Sequence, residues 1–320
     1  MKRLLSITVA TMLSSGVALA TEWDMPTPYS DKTFHTANIV EFAKDVSEAT
    51  EGELNITVHS AGSLIKHPEI KNAVRGQQVP IGEFFLSRLS NEDAAYGIDS
   101  QPFVATSYED AAKLWEAQKP VITELLAKQK LIPLFSVPWP PQGLYTKDEI
   151  TTVDDLNGLK FRAYNAALEK FSALAGAAPT QVEAADIPQA FTTGQVEAMI
   201  TSPSTGANTK AWDFVSYYSP INAWVPKNIV VVNKSAFEAL DADIQAKVLE
   251  AAAAAETRGW EMSKEETAAK TEELAANGMI VSEPNLDLLD GLKQIGDQMQ
   301  SNWQESASDE AKAIVEAFSQ

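Results

Sequence analysis

The chain of 320 residues has no cysteine. That excludes disulfides, thiolate metal sites, a thiol nucleophile and a lipid anchor carried on cysteine. Histidine is nearly as scarce. His35, His59 and His67 are the only three, and none pairs with another at metal-ligand spacing. The sequence contains no H-E-x-x-H, no G-x-S-x-G and no phosphate-binding glycine loop, so nothing in it calls for a metal, a cofactor or catalysis. Acidic pairs such as Asp154-Asp155 read as solvated turn caps. A hydrolase working with carboxylates alone is the enzymatic rival, without a motif to support it. Positive charge is also short, with 25 Lys and Arg against 44 Asp and Glu. Such an acidic chain argues against nucleic acid or anionic lipid as a partner. An anionic small molecule would need a local positive pocket within an adverse overall field.

Long apolar runs are missing except at the start. Leu4–Leu13 is apolar but short and broken by serine, too weak for a membrane span. Lys2 and Arg3 precede it and Ala18-Leu19-Ala20 follows, so residues 1–20 read as a signal peptide cleaved after Ala20. Losing Lys2 and Arg3 leaves 23 basic and 44 acidic residues, a net charge of −21. The remaining stretch, about 300 residues, exceeds one ordinary domain, and two lobes are expected.

What is present is α/β periodicity, clearest from Leu156 to Ser204. Leu159, Phe161 and Ala163 fall on one face of a strand, and Lys160, Arg162 and Tyr164 on the other. Asn165 is placed to cap a helix over Ala166–Leu174. A strand at Pro179–Val182, a helix at Asp186–Thr193 and a strand at Val196–Thr201 complete a right-handed βαβαβ unit with a parallel sheet. Ligands of open α/β sheets sit at such strand ends. Arg162, three residues before a helix N-terminus, is either a carboxylate holder or a surface arginine paired with Glu or Asp. The chain from Glu22 to Leu86 gives a second βαβαβ unit, and two such units suggest a cleft between lobes. Tyr108–Gln118 and Val121–Gln129 read as two helices separated by Pro120. Ala242 to about Ala276 reads as a long helix on the order of 50 Å, or two helices split near Arg258-Gly259.

The runs LNGLKFRAYNAA and GAAPTQVEAADIPQAFTTGQVEAMITSP resemble the extracytoplasmic solute-binding proteins of TRAP transporters, the DctP-like family. FAKDVSEATEGELNITVHSAGSL and NKSAFEALDADIQAKVLEAA are similar to the family's first helix and second strand and to its later strand-to-helix junction. The resemblance implies an α/β, two-lobed periplasmic binding protein fold with crossing strands and a long bracing helix. Residues 21–145 would be mainly the first lobe, 146–235 mainly the second with crossing strands, 236–280 the brace and 281–320 C-terminal helices. It implies a periplasmic, monomeric, non-enzymatic receptor that captures a small organic acid and delivers it to small and large TRAP membrane subunits. A periplasmic sensor or an ABC-type receptor is the alternative use of the same binder.

The resemblance places Arg162 as the main salt bridge to a ligand carboxylate. Thr201 stands where the family often has a ligand-binding asparagine. Gln142, in the Trp139–Gly143 loop, stands where some acid-binding members have a second arginine, so the ligand is expected to carry one strong anionic group. Ala184 occupies an often bulky position. Glu83, Phe84 and Phe85 lie where first-lobe contacts occur. The pleat lets only one of the two phenylalanines face the cleft, and the expectation is Phe84. His67 is expected near the cleft, as are Trp139 and Trp224, although ordinary packing would explain either tryptophan.

Overall fold

The computed structural model describes residues 20–319; the signal-peptide reading of residues 1–20 falls almost wholly outside them. Apolar alternation sorts the strands into two lobes. In the first lobe, β1 (Thr21–Pro26), α1 (Phe34–Ala49) and β2 (Leu54–His59) form a β-α-β unit whose strands pair in parallel. After α2 (Ile70–Arg75) comes β3 (Ile81–Phe85), then α3 (Tyr108–Ala127) and β4 (Leu131–Pro138). The expected break at Pro120 does not occur: α3 runs through it, with Pro120 on the exposed side. The apolar stripe Ala111, Leu114, Trp115, Ile122 and Leu126 continues across that position and outweighs the lost backbone bond.

The chain then crosses to the second lobe with β5 (Gly143–Thr146), β6 (Lys160–Ala163), α4 (Ala166–Leu174), β7 (Ala178–Gln181), α5 (Ile187–Thr192), β8 (Ala198–Thr201), α6 (Pro203–Asn208) and β9 (Tyr217–Ser219). As the periodicity predicts, β6 pairs in parallel with both β7 and β8, and Phe161 and Ala163 enter the core. It returns with β10 (Lys227–Asn233), which lies between β3 and β4 and is antiparallel to both. Thus 227–233, within the stretch expected mainly in the second lobe, forms the centre of a first-lobe sheet.

The outgoing and returning crossings are zipped together. Trp139 N–H donates to Pro226 O at 2.8 Å, Gln142 N–H to Trp224 O at 3.0 Å, and Ala223 N–H to Gln142 O at 3.0 Å. This two-stranded hinge is the floor of the space between the lobes. Just beyond it, Lys227 is buried with Asp99 3.4 Å away.

After α7 (Lys234–Glu238), the 35-residue α8 (Ala242–Ala276) is continuous, so the split near Gly259 is absent. Gly259 is instead a point of close approach, where an added Cβ would sit 2.4 Å from Val137 Cγ2 and 2.7 Å from Asn38 Nδ2. Along α8, Val248, Ala251, Ala252 and Ala255 join the first-lobe core, whereas Leu274 joins the second. The helix therefore braces both lobes. Finally β11 (Ile280–Val281) pairs with β9, α9 (Leu286–Ser306) packs on the second lobe, and α10 (Asp309–Phe318) returns to the first. Among the described residues no helix is long and apolar enough to cross a membrane.

Candidate functional site

A small cavity sits on the hinge. The first lobe supplies Tyr29, His67, Phe85 and Arg88; the crossings supply Trp139, Gln142 and Pro226. The second lobe supplies Arg162, Tyr164, Glu183, Ala184, Thr201, Ser202 and Thr205. Its unfilled space, counted out to its opening to solvent, is about 420 Å³. That is room for a small ligand in place of a few waters. Tyr29, Trp139, Ala184 and Thr205 also line a wider outer cleft, which supplies a route of entry.

Arg162 is the chemical centre. It is the third residue of β6 and 3% exposed. Its Nε–H donates to the Val182 carbonyl at 3.0 Å, which fixes the plane of the guanidinium. The Tyr164 ring lies 4.9 Å from its Cζ, a cation–π contact. The nearby carboxylate, Glu183, is bonded to His67 and Arg88, and among the described residues no ion pair is formed by Arg162. Burial lowers the guanidinium from 12.5 to about 10, so it stays charged at neutral pH. Asn165 caps the following helix α4 by accepting from Leu168 N–H at 2.8 Å, and Ala166 and Ala167 border a separate surface recess.

Thr201, at the end of β8, and Gln142 both line the wall and are 3% exposed. The Gln142 amide is oriented from both ends: Nε2 donates to Pro140 O at 2.7 Å, and Oε1 accepts from Tyr164 OH at 3.1 Å. Trp139 lines the wall as well. Trp224 does not. It is buried in the second-lobe core, where its indole N–H donates to Tyr164 OH at 2.9 Å, so it backs the wall and holds Tyr164.

The first-lobe strand corrects two expectations. Phe84 points into the lobe core, and Phe85 lines the cavity, meeting the Tyr164 ring edge-on at 5.4 Å across the cleft. The pleat is set by Gly82, whose face packs on α2 so closely that a Cβ would sit 2.8 Å from Ile70 Cγ2; Phe84 shares that face. Glu83 shares the face of Phe85 but lies one layer behind the cavity. Its carboxyl accepts from Thr27 Oγ1 at 2.6 Å and from Asn228 Nδ2 at 2.9 Å. Asn228 Oδ1 in turn accepts from Trp139 Nε1 at 2.9 Å and Tyr29 OH at 3.2 Å. Glu83 thereby fixes the Asn228 amide, and Asn228 fixes two wall aromatics. Burial pushes the Glu83 carboxyl up to about 7.

His67 lines the cavity in a defined state. Nε2 accepts the Phe85 N–H at 3.2 Å, which leaves Nδ1–H to donate to Glu183 at 3.1 Å. The bond accepted by Nε2 requires the neutral ring, and burial lowers its pKa in the same direction. Arg88 pairs with the other oxygen of Glu183 at 2.8 Å. Burial raises the Glu183 carboxyl, but the His67 hydrogen bond and the charges of Arg88 and Arg162 outweigh it and hold it well below the usual carboxylate range. One second-lobe carboxylate thus joins two first-lobe side chains. Asn165 Nδ2 adds another bond between the lobes, to Ser87 Oγ at 2.8 Å.

Sequence reasoning missed Tyr29, Arg88, Tyr164 and Glu183 as wall residues. For Tyr164 a signal existed, since it shares the strand face of Arg162. The other three come from separate segments with no common spacing.

Residues 11–309 match the family of bacterial extracellular solute-binding proteins, family 7, DctP. The fold is similar to a Bordetella pertussis extracytoplasmic solute receptor that binds pyroglutamic acid, with a TM-score of 0.93 and 42% identity over 94% of this chain and all of that one. A marine metagenome TRAP solute-binding protein specific for pyroglutamate is 43% identical, with a TM-score of 0.91 over 94% of this chain and 99% of the other. A solute-binding protein of Chromohalobacter salexigens is 26% identical over 227 residues, 69% of this chain and 67% of its own length. With the two lobes, zipped crossings and interlobe cavity, these matches establish that the chain belongs to the DctP family of TRAP extracytoplasmic solute receptors.

Proposed function

We propose that this receptor captures pyroglutamate or a closely similar small cyclic monocarboxylate in the periplasm, and hands it to TRAP membrane subunits. It acts as a binder, not an enzyme, and residues 1–20 direct its export. The observation that carries the reading is the Arg162 fork, buried, charged and free of a protein carboxylate in a cavity sized for a small ligand. A carboxylate entering there loses its water, and charge-assisted bonds to a planar guanidinium offset that loss. The rest of the wall suits a compact ring with neutral polar atoms. Thr201, Ser202 and Gln142 offer hydrogen bonds, while Phe85, Trp139 and Tyr164 offer aromatic faces. The relatives near 42% identity bind pyroglutamate, which has one carboxylate and a lactam.

Calorimetry on the purified protein tests this, with pyroglutamate, proline and glucuronate injected in turn. Pyroglutamate is expected to bind with Kd of about 1 μM or tighter, about −8 kcal/mol, and the others at least tenfold more weakly. Tight binding of a neutral sugar with no response to any monocarboxylate would refute the reading.

A further inference from the structure

The formally charged side chains that line the cavity are Arg88, Arg162 and Glu183. His67 is held neutral by the bond that its Nε2 accepts from Phe85 N–H. The wall therefore carries a net charge of one positive unit, which matches a monoanion. This balance depends on Glu183. Arg88 alone would be a second anion site beside Arg162, but the Glu183 carboxylate already occupies it at 2.8 Å and also accepts from His67 at 3.1 Å.

We infer that Glu183 stands in for a second ligand carboxylate, occupying Arg88 and making the cavity select monocarboxylates over dicarboxylates of similar size. This rests on the reading of the chain as a carboxylate receptor. A dianion bound through Arg162 has two choices for its second charge. It can lie against the Glu183 carboxylate, with repulsion that the half-buried surroundings screen only in part. Otherwise it must displace Glu183 from Arg88 and His67, leaving two carboxylates to share one guanidinium. Selection of this kind comes from a built-in repulsion, not from an added attraction. The neutral wall groups Thr201, Ser202, Gln142 and Thr205 supply hydrogen bonds to either class and cannot discriminate by charge. The Glu183 side chain is 40% exposed and Arg88 20% exposed, so solvent screens part of the effect. A change of about tenfold is the appropriate scale.

The test compares pyroglutamate with glutarate, a five-carbon dianion, by calorimetry on the whole mature protein. Wild type is expected to prefer pyroglutamate. In Glu183→Gln and in Glu183→Ala, the ratio of glutarate to pyroglutamate affinity should rise by about tenfold or more. Adding Arg88→Gln to Glu183→Gln should abolish that rise, because the second cation is gone. Arg88→Gln alone leaves Glu183 without its cation and should weaken pyroglutamate by about tenfold; this variant decides the matter if the Glu183 variants do not fold. The inference is overturned if wild type binds glutarate as tightly as pyroglutamate. It is also overturned if the ratio moves by less than about threefold in both Glu183 variants, or if Arg88→Gln binds pyroglutamate like wild type. Those failures differ from failure of the underlying reading, in which wild type binds no monocarboxylate and both fall.

Discussion

Replacing Arg162 by alanine removes the one charged fork in the cavity that has no protein carboxylate on it. The bound carboxylate would then be desolvated with no cation facing it. Breaking a buried pair by deleting one partner costs about 3–5 kcal/mol. With about 1.4 kcal/mol per tenfold, affinity should fall by roughly two to three orders of magnitude. Lysine at 162 should recover only part of this, because an ammonium cannot form two parallel in-plane bonds or reproduce the bond to Val182 O at 3.0 Å. The ligand-free protein should behave differently. Burial, offset in part by neighbouring negative charge such as Glu183, lowers the guanidinium from 12.5 to about 10, a net penalty of roughly 3 kcal/mol. The bond to Val182 O returns about 1.5–3 kcal/mol for a charged donor. These contributions nearly cancel, so ligand-free Arg162→Ala should unfold within about 2 kcal/mol of wild type, a few degrees for a chain of this size. Calorimetry gives the affinity, and thermal melts with and without ligand give the stability. Binding by Arg162→Ala within threefold of wild type would refute the carboxylate-clamp argument. A variant that fails to fold would show that Arg162 is structural.

Three further outcomes follow from packing and protonation. Glu83 has its folded-state pKa raised to about 7 by burial, so between about 4.5 and 7 the folded state holds a proton that the unfolded state has lost. Its contribution to stability therefore falls as pH rises through that window, by at most roughly 3 kcal/mol; Glu83→Gln should lessen the drop in melting temperature between pH 5 and pH 8, and an identical drop in both proteins would count against it. At Gly259 a Cβ would sit 2.4 Å from Val137 Cγ2, so Gly259→Ala should lose about 1–3 kcal/mol despite alanine's better helix propensity. A melting temperature equal to or above wild type would contradict that close approach. Asn165→Ala removes the α4 cap and the bond to Ser87 and should lower stability by about 1 kcal/mol, read from denaturant midpoints; no change would show that water replaces both bonds.

The second-lobe unit was legible because its signals are local. Period-two alternation at Leu159, Phe161 and Ala163 and the Asn165 cap lie within a few residues of what they determine, and they placed Arg162 on the open face. The first-lobe contacts were not legible to that degree. Whether Phe84 or Phe85 faces the cavity depends on how Gly82 packs against Ile70 of α2, a contact that alternation alone cannot order. Glu183 pairs with His67 and Arg88 over 116 and 95 residues of chain. Glu83 reaches Asn228 over 145. Each is chemically ordinary in isolation, and only the hinge brings them together. Pro120 misled for the opposite reason, because a strong local signal was overridden by the buried stripe of α3.

The attachment of α8 is uneven along its length. From Ile244 to Ser263 it is embedded in the first lobe at regular intervals, and Tyr108 OH lies 2.6 Å from Ser263 O and 2.8 Å from Thr267 Oγ1. The next buried residue is Leu274, in the second-lobe core. Ser204 of α6 donates to Glu266 at 2.6 Å, so the second lobe takes hold of the rod within one turn of where the first lobe lets go, like two hands gripping a bar side by side. When the lobes turn about the zipped hinge, the rod must flex at this hand-over, around Ser263–Thr267. Its stiffness becomes part of the energy of opening. Two glycines placed there would soften the spring and shift the balance between open and closed forms, altering apparent affinity without changing any atom of the cavity wall.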